Sequence, residues 1–143
     1  MTILIDADGC PVVDITVKIA AERKISCIIL CDTSHVFEKP GAKTITVSKG
    51  SDSVDFALVN MVQAGDVVIT QDYGLAAMCL AKRAIPLSQT GMVYTDDNIG
   101  PLLSERHAAK KIRMARGRIK GNSKRTPEQD EKFKLELRSL LSR

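Results

Sequence analysis

Five short apolar runs, set apart by segments of helical periodicity, constrain this chain more than any other feature. The runs are Thr2–Asp6, Ser26–Cys31, Lys43–Val47, Asp66–Thr70 and Ile85–Leu87. They are too short for buried helices. Their Ile, Val and Leu content is that of strands covered on both faces. Between them, Pro11 to Arg23 offers Val13, Val17, Ile19 and Ala20 as one helical face, and Asp52 to Ala64 repeats Val54, Leu58, Met61 and Val62. Gly65 suits the C-terminal cap of that second helix. Gly74 to Arg83 is a third helix, rich in Ala and Leu, and the polar stretch Asp32 to Ala42, with Pro40-Gly41, reads as loop. Alternation of this kind predicts an α/β fold, a three-layer α/β/α sandwich with a mostly parallel sheet. Right-handed crossovers leave few topologies, and the expected strand order is 3-2-1-4-5. That order sets strands 1 and 4 side by side, so their carboxyl ends share one crevice.

Both of those strands end in acids. The first runs into Asp6-Ala7-Asp8-Gly9, and the fourth into Thr70-Gln71-Asp72. Carboxylates this close repel one another, and one pKa rises unless a cation stands between them. Asp8 has a competing local use as a cap for the helix that starts near Pro11. A third source of acid is Asp52 and Asp55. Asp52 suits an N-cap, whereas Asp55 sits in the first turn and is the better choice for an acid turned inward. Asp96 and Asp97 read as a cap and first-turn charge of the next long helix. Hard oxygen donors, with only His35 and His107 as imidazoles, favour Mg²⁺ or Mn²⁺. Such ions orient water and neutralise a phosphate undergoing displacement. The residues thus point to metal-dependent phosphodiester hydrolysis in the crevice shared by Asp6, Asp8 and Asp72, with Asp55 as the better choice to complete a metal site, and the acids alone do not distinguish a nuclease from a phosphatase. Ser34, Thr70 and Gln71 are the polar residues placed to touch substrate.

Several chemistries lack support. Cys10, Cys27, Cys31 and Cys79 form no C-x-x-C pair, which leaves no basis for structural zinc. Cys27 and Cys79 read as small core residues, and Cys10 as a small buried residue before Pro11 rather than a catalytic thiol. Dinucleotide and P-loop glycine signatures are absent, as is a serine-centred elbow. With no Trp, three Phe and two Tyr, the chain lacks an aromatic sheet for stacking bases. Its apolar runs are too short to span a membrane, and it opens on a strand rather than a targeting signal, so a cytoplasmic location is expected.

Charge is segregated along the chain. Residues 1 to 105 carry 8 Lys/Arg against 13 Asp/Glu, and residues 106 to 143 carry 13 against 4, within a total of +4. From Arg106 to Arg125 there is no acid, and Lys110, Lys111, Arg113 and Arg116 lie in that stretch. A solvated helix normally mixes signs, so this stretch reads as a phosphate-backbone surface for nucleic acid. Gly117, Gly121, Asn122 and Ser123 suggest a flexible linker within it. Thr126-Pro127-Glu128-Gln129 then forms a capping box with Pro at the first helical position. Phe133, Leu137, Leu140 and Leu141 follow at helical spacing, a stripe suited to the body of the domain or to a second copy in a homodimer. The organisation expected is one domain, 1–143, with a basic helical extension from about 106.

Three blocks together carry a family resemblance: Asp6-Ala7-Asp8-Gly9-Cys10-Pro11-Val12, Gly65-Asp66-Val67-Val68-Ile69-Thr70-Gln71-Asp72-Tyr73-Gly74-Leu75-Ala76, and Tyr94-Thr95-Asp96-Asp97-Asn98-Ile99. They resemble the bacterial YaiI/YqxD family, which is of unknown function and similar to PIN-like nuclease domains. The resemblance implies a nuclease-type fold with acids around a divalent metal. It points to Asp6, Asp8 and Asp72 here, with Asp55 or Asp52 as the middle acid, and the leading expectation is a Mg²⁺- or Mn²⁺-dependent nuclease acting on RNA. A nucleic-acid-binding protein with this fold and little turnover is the alternative. Asp6-Ala7-Asp8-Gly9 also resembles the start of haloacid-dehalogenase-type phosphatases, where Asp6 would be the nucleophile. Against that, Gly65-Asp66 precedes its strand, whereas that family places its later acids after one.

Overall fold

The computed structural model describes residues 1–32, 38–50, 52–116 and 124–143, apart from the side chains of residues 108, 109 and 112–116. Five strands, β1 (Thr2–Asp6), β2 (Ser26–Asp32), β3 (Lys43–Val47), β4 (Val67–Ile69) and β5 (Ile85–Leu87), pair in parallel in the order β3-β2-β1-β4-β5. This is the order expected from the sequence. The helices are α1 (Val13–Glu22), α2 (Ser53–Met61), α3 (Tyr73–Ala81), α4 (Asp96–Arg116) and α5 (Pro127–Leu141).

Side chains alternate along each strand, so the sheet has two distinct faces. Ile3, Ile5, Cys27, Ile29, Val67 and Ile69 pack on one side with Val13, Val17 and Ala20 of α1 and with Phe133, Leu137 and Leu140 of α5. Leu4, Leu30 and Val68 pack on the other with Val54 and Leu58 of α2 and Leu75 and Cys79 of α3. Two helical layers thus cover one sheet, and all of these side chains are buried.

The last helix docks within its own chain. Its capping box forms as the sequence implies: Gln129 N donates to Thr126 Oγ1 at 3.4 Å, and Thr126 N donates to Gln129 Oε1 at 3.0 Å. Gly91 lets α5 approach closely. Its φ is +86°, and a Cβ there would stand 2.9 Å from the backbone of Lys132.

Several local readings needed correction. Helix α2 ends at Met61 with Val62 extended, so Gly65 does not cap it. Gly65, at φ +86°, instead turns the chain into β4, and its N–H donates to Arg83 O at 3.0 Å. Asp8 does not cap α1, whose N-terminus lacks a side-chain cap. The start of α4 is capped by Thr95 and Asn98, each side chain accepting from the other's backbone N–H at 3.2 and 2.9 Å. Asp96 and Asp97 supply first-turn charge only. Among the described residues no helix is long and apolar enough to cross a membrane.

Candidate functional site

Strand alternation dictates which acids meet. On β1 the residues facing α2 and α3 are Leu4 and then Asp6, with Asp8 just past the strand end. On β2 they are Leu30 and Asp32, and on β4 Val68, with Thr70 and Asp72 in the segment that leads from its end into α3. Three neighbouring parallel strands therefore run from buried aliphatics into polar groups on one face at one end. Together with Gly50, Asp52, Ser53 and Asp55 at the start of α2, the acids Asp6, Asp8, Asp32 and Asp72 line a single cleft of about 230 Å³. Asp32 was missed by reading the sequence, which assigned it to the following loop. Its signal was an apolar run ending in an acid, as on strands 1 and 4, beside strand 1 in the expected order.

Protein donors hold these carboxylates. Buried Thr70 is the hub: its hydroxyl donates to Asp6 Oδ2 at 2.8 Å and accepts from Asp72 N at 3.0 Å, and its carbonyl accepts from Tyr94 Oη at 3.2 Å. Tyr94 in turn meets Tyr73 edge to face, with ring centroids 5.9 Å apart. Asp72 caps α3, accepting from Gly74 N at 2.8 Å and Leu75 N at 3.1 Å on Oδ1. A Cβ at Gly74 would stand 3.2 Å from that oxygen, so glycine gives the cap room to lie on the helix end. The same oxygen takes a 3.3 Å ion pair from Arg106 of α4. Asp8 Oδ2 accepts from Asp32 N at 3.2 Å. Gln71 is exposed, and its Oε1 accepts from Gln89 N at 2.9 Å, bracing the segment after β5.

The electrostatics are those of crowded like charges. Burial pushes the Asp6 carboxyl above its usual value, and Asp72 and Asp8 push it further, against the opposing hydrogen bond from Thr70. Burial likewise raises Asp55, to about 6, with Asp72, Asp6 and Asp52 adding to the shift and a hydrogen bond to Asp72 favouring the protonated form. Asp52 is not a side-chain cap. It sits at φ +65°, makes no capping hydrogen bond and lines the cleft. The left-handed region is sparsely populated by side-chain-bearing residues, and its use at a cleft edge marks backbone held by its surroundings. Cys10 lies beside Asp6, and burial raises its thiol to about 11, so it keeps its proton at neutral pH.

A divalent ion fits the donor set, all hard carboxylate oxygens. As the side chains stand, however, no three His, Cys, Asp or Glu among the described residues are gathered to hold a metal ion. Asp6, Asp8 and Asp72 are each held by a protein donor instead. Asp66 is structural: its carboxylate accepts from Thr2 N at 3.0 Å and Gln63 N at 2.9 Å. Lys110 and Lys111 are exposed on α4, and Arg113 and Arg116 belong to the same helix. Ser34 and the expected linker at Gly117 to Ser123 lie outside the described residues.

The family model described as "Uncharacterized BCR, YaiI/YqxD family" matches residues 4–143. The chain belongs to the YaiI/YqxD family. A "UPF0178 protein" of Exiguobacterium sibiricum is 49% identical over 99% of this chain and 97% of its own length. Another from Clostridium acetobutylicum is 48% identical over 100% and 98%, and one from Ruminiclostridium cellulolyticum is 52% identical over 96% and 90%. No solved structure matches the chain. The three sequence blocks that suggested this YaiI/YqxD membership contribute Asp6 and Asp8, Thr70 and Asp72, and the Thr95–Asn98 cap, so two of them meet at the cleft.

Proposed function

We propose that this protein is a Mg²⁺- or Mn²⁺-dependent nuclease acting on RNA. The observation that carries the reading is the convergence of Asp6, Asp8, Asp32, Asp52, Asp55 and Asp72 on one cleft at the carboxyl ends of three adjacent strands. Burying carboxylates against one another costs free energy, and a bound cation would repay it. Asp6, Asp8 and Asp72 would hold the ion, with Asp55 as the middle acid. When bound, the ion would supply charge neutralisation on the phosphate and an oriented water.

The chain's own residues do the positioning. Thr70 fixes Asp6 and Asp72 relative to each other and is too buried to meet substrate itself. The helix end fixes the Asp72 rotamer. Arg106 can exchange its carboxylate partner for a phosphate when the cleft takes up a cation, since guanidinium pairs with both groups. Lys110, Lys111, Arg113 and Arg116 continue along α4 from Arg106, where the backbone of a bound strand would be neutralised. A binding protein with little turnover is the second reading, favoured by the spread of the carboxylates. Incubation of end-labelled single-stranded RNA with Mn²⁺ separates the two. Cleavage by the wild type that is lost in Asp6→Asn, with RNA binding retained, supports the nuclease. Binding without cleavage in both proteins supports the second reading.

A further inference from the structure

Next to the acidic cleft lies a second, larger groove of about 400 Å³, lined by Asp52, Asp55, Phe56, Leu75, Met78 and Arg106 among others. Its volume falls within the roughly 300–1,000 Å³ typical of sites for small organic groups. Phe56 is 62% exposed, although Val54 and Leu58 on either side of it in α2 are buried in the core. Asp55 and Phe56 are neighbours in the first turn of α2, Asp52 directly precedes the helix, and all three line the groove. The aromatic ring thus lines the groove with no role in the core. Met78, 38% exposed on α3, lies across from it.

We propose that this groove is a nucleobase subsite for the strand whose phosphate rests at the acidic cleft. The inference builds on the nuclease reading above and specifies how that site would grip its substrate. Three features select a base. The ring and thioether offer a flat apolar surface of the kind on which bases stack. Asp52 and Asp55 repel a second phosphate, so the uncharged part of a nucleotide is what the groove accepts. Arg106, paired with Asp72 at 3.3 Å, stands where its planar guanidinium can stack on the base or meet the adjoining phosphate. The two pockets share Asp52, Asp55 and Asp72, so one nucleotide can reach both. Stacking does not discriminate among bases, and the subsite therefore confers preference for single-stranded, unstacked substrate rather than for a sequence.

The test compares a fluorescein-labelled uridine oligonucleotide with an abasic strand of equal length, by anisotropy, with Ca²⁺ present to limit turnover. The wild type should bind the uridine strand more tightly than the abasic one. Phe56→Ala should weaken uridine binding about tenfold, the scale of one lost base stack, and leave the abasic affinity and Mn²⁺ affinity unchanged. Phe56→Tyr should restore uridine binding. Uridine binding that is unaltered in Phe56→Ala, in a protein whose wild type binds and cleaves RNA, overturns the subsite alone. A wild type that binds neither strand overturns the nuclease reading with it. If sedimentation shows a wild-type dimer and a Phe56→Ala monomer, the groove is covered by a second copy and the subsite is also overturned.

Discussion

Asp55 shows what the cleft costs the metal-free protein. Its folded-state carboxyl titrates near 6, whereas an unperturbed aspartate titrates near 4. Between those values the folded state holds more protons than the unfolded state, so stability falls as pH rises through that window, and the loss persists above it. Asp55→Asn should therefore stabilise the metal-free protein at pH 7.5 by about 1 kcal/mol, allowing for solvent screening of a half-buried group. At pH 4, the lower edge of that window, the gain should be much smaller. Urea denaturation at the two pH values checks this, and equal gains at both would contradict it. In the sequence Asp55 was preferred over Asp52 as the inward acid because Asp52 had a local use as a cap, whereas in the structure both line the cleft. The left-handed backbone of Asp52 was not legible, because an Asp before a helix reads as a cap whichever backbone region it occupies.

At the scale of elements, strand and helix boundaries were legible within a residue or two wherever the apolar period was clear, as in β1, β3 and β5. What sequence could not convey were the contacts made between elements. The Asp72–Arg106 pair joins residues 34 apart, from α3 to α4. The hub role of Thr70 depends on strands 64 residues apart in the chain lying side by side. Gly91 is a case where packing and backbone agree on one residue. Ala there must adopt φ near +86° and push its Cβ against Lys132. Gly91→Ala should cost more than about 1 kcal/mol, combining left-handed strain with overpacking under α5. Thermal unfolding measures the loss, and a neutral substitution would mean that α5 can shift outward without penalty.

Taken whole, the molecule separates an acidic cleft from a basic run that begins at Arg106 and continues along α4. The charge asymmetry was readable in the sequence. The parallel sheet turned it into geometry, with Arg106 at the rim of the cleft. If about six of these cations meet phosphates of a single strand, RNA affinity should drop by about two to three decades between 50 and 200 mM salt. A flat salt response would remove α4 from the binding surface.

The most direct test of the account is calorimetric Mn²⁺ binding to the wild type and to Asp6→Asn/Asp72→Asn. Asparagine retains an oxygen that can accept from Thr70 and from the start of α3, so the double variant should remain folded while losing the charges. The account predicts saturable binding by the wild type that disappears in the double variant. Binding unchanged by the two substitutions, or absent from the wild type with and without RNA, would contradict it.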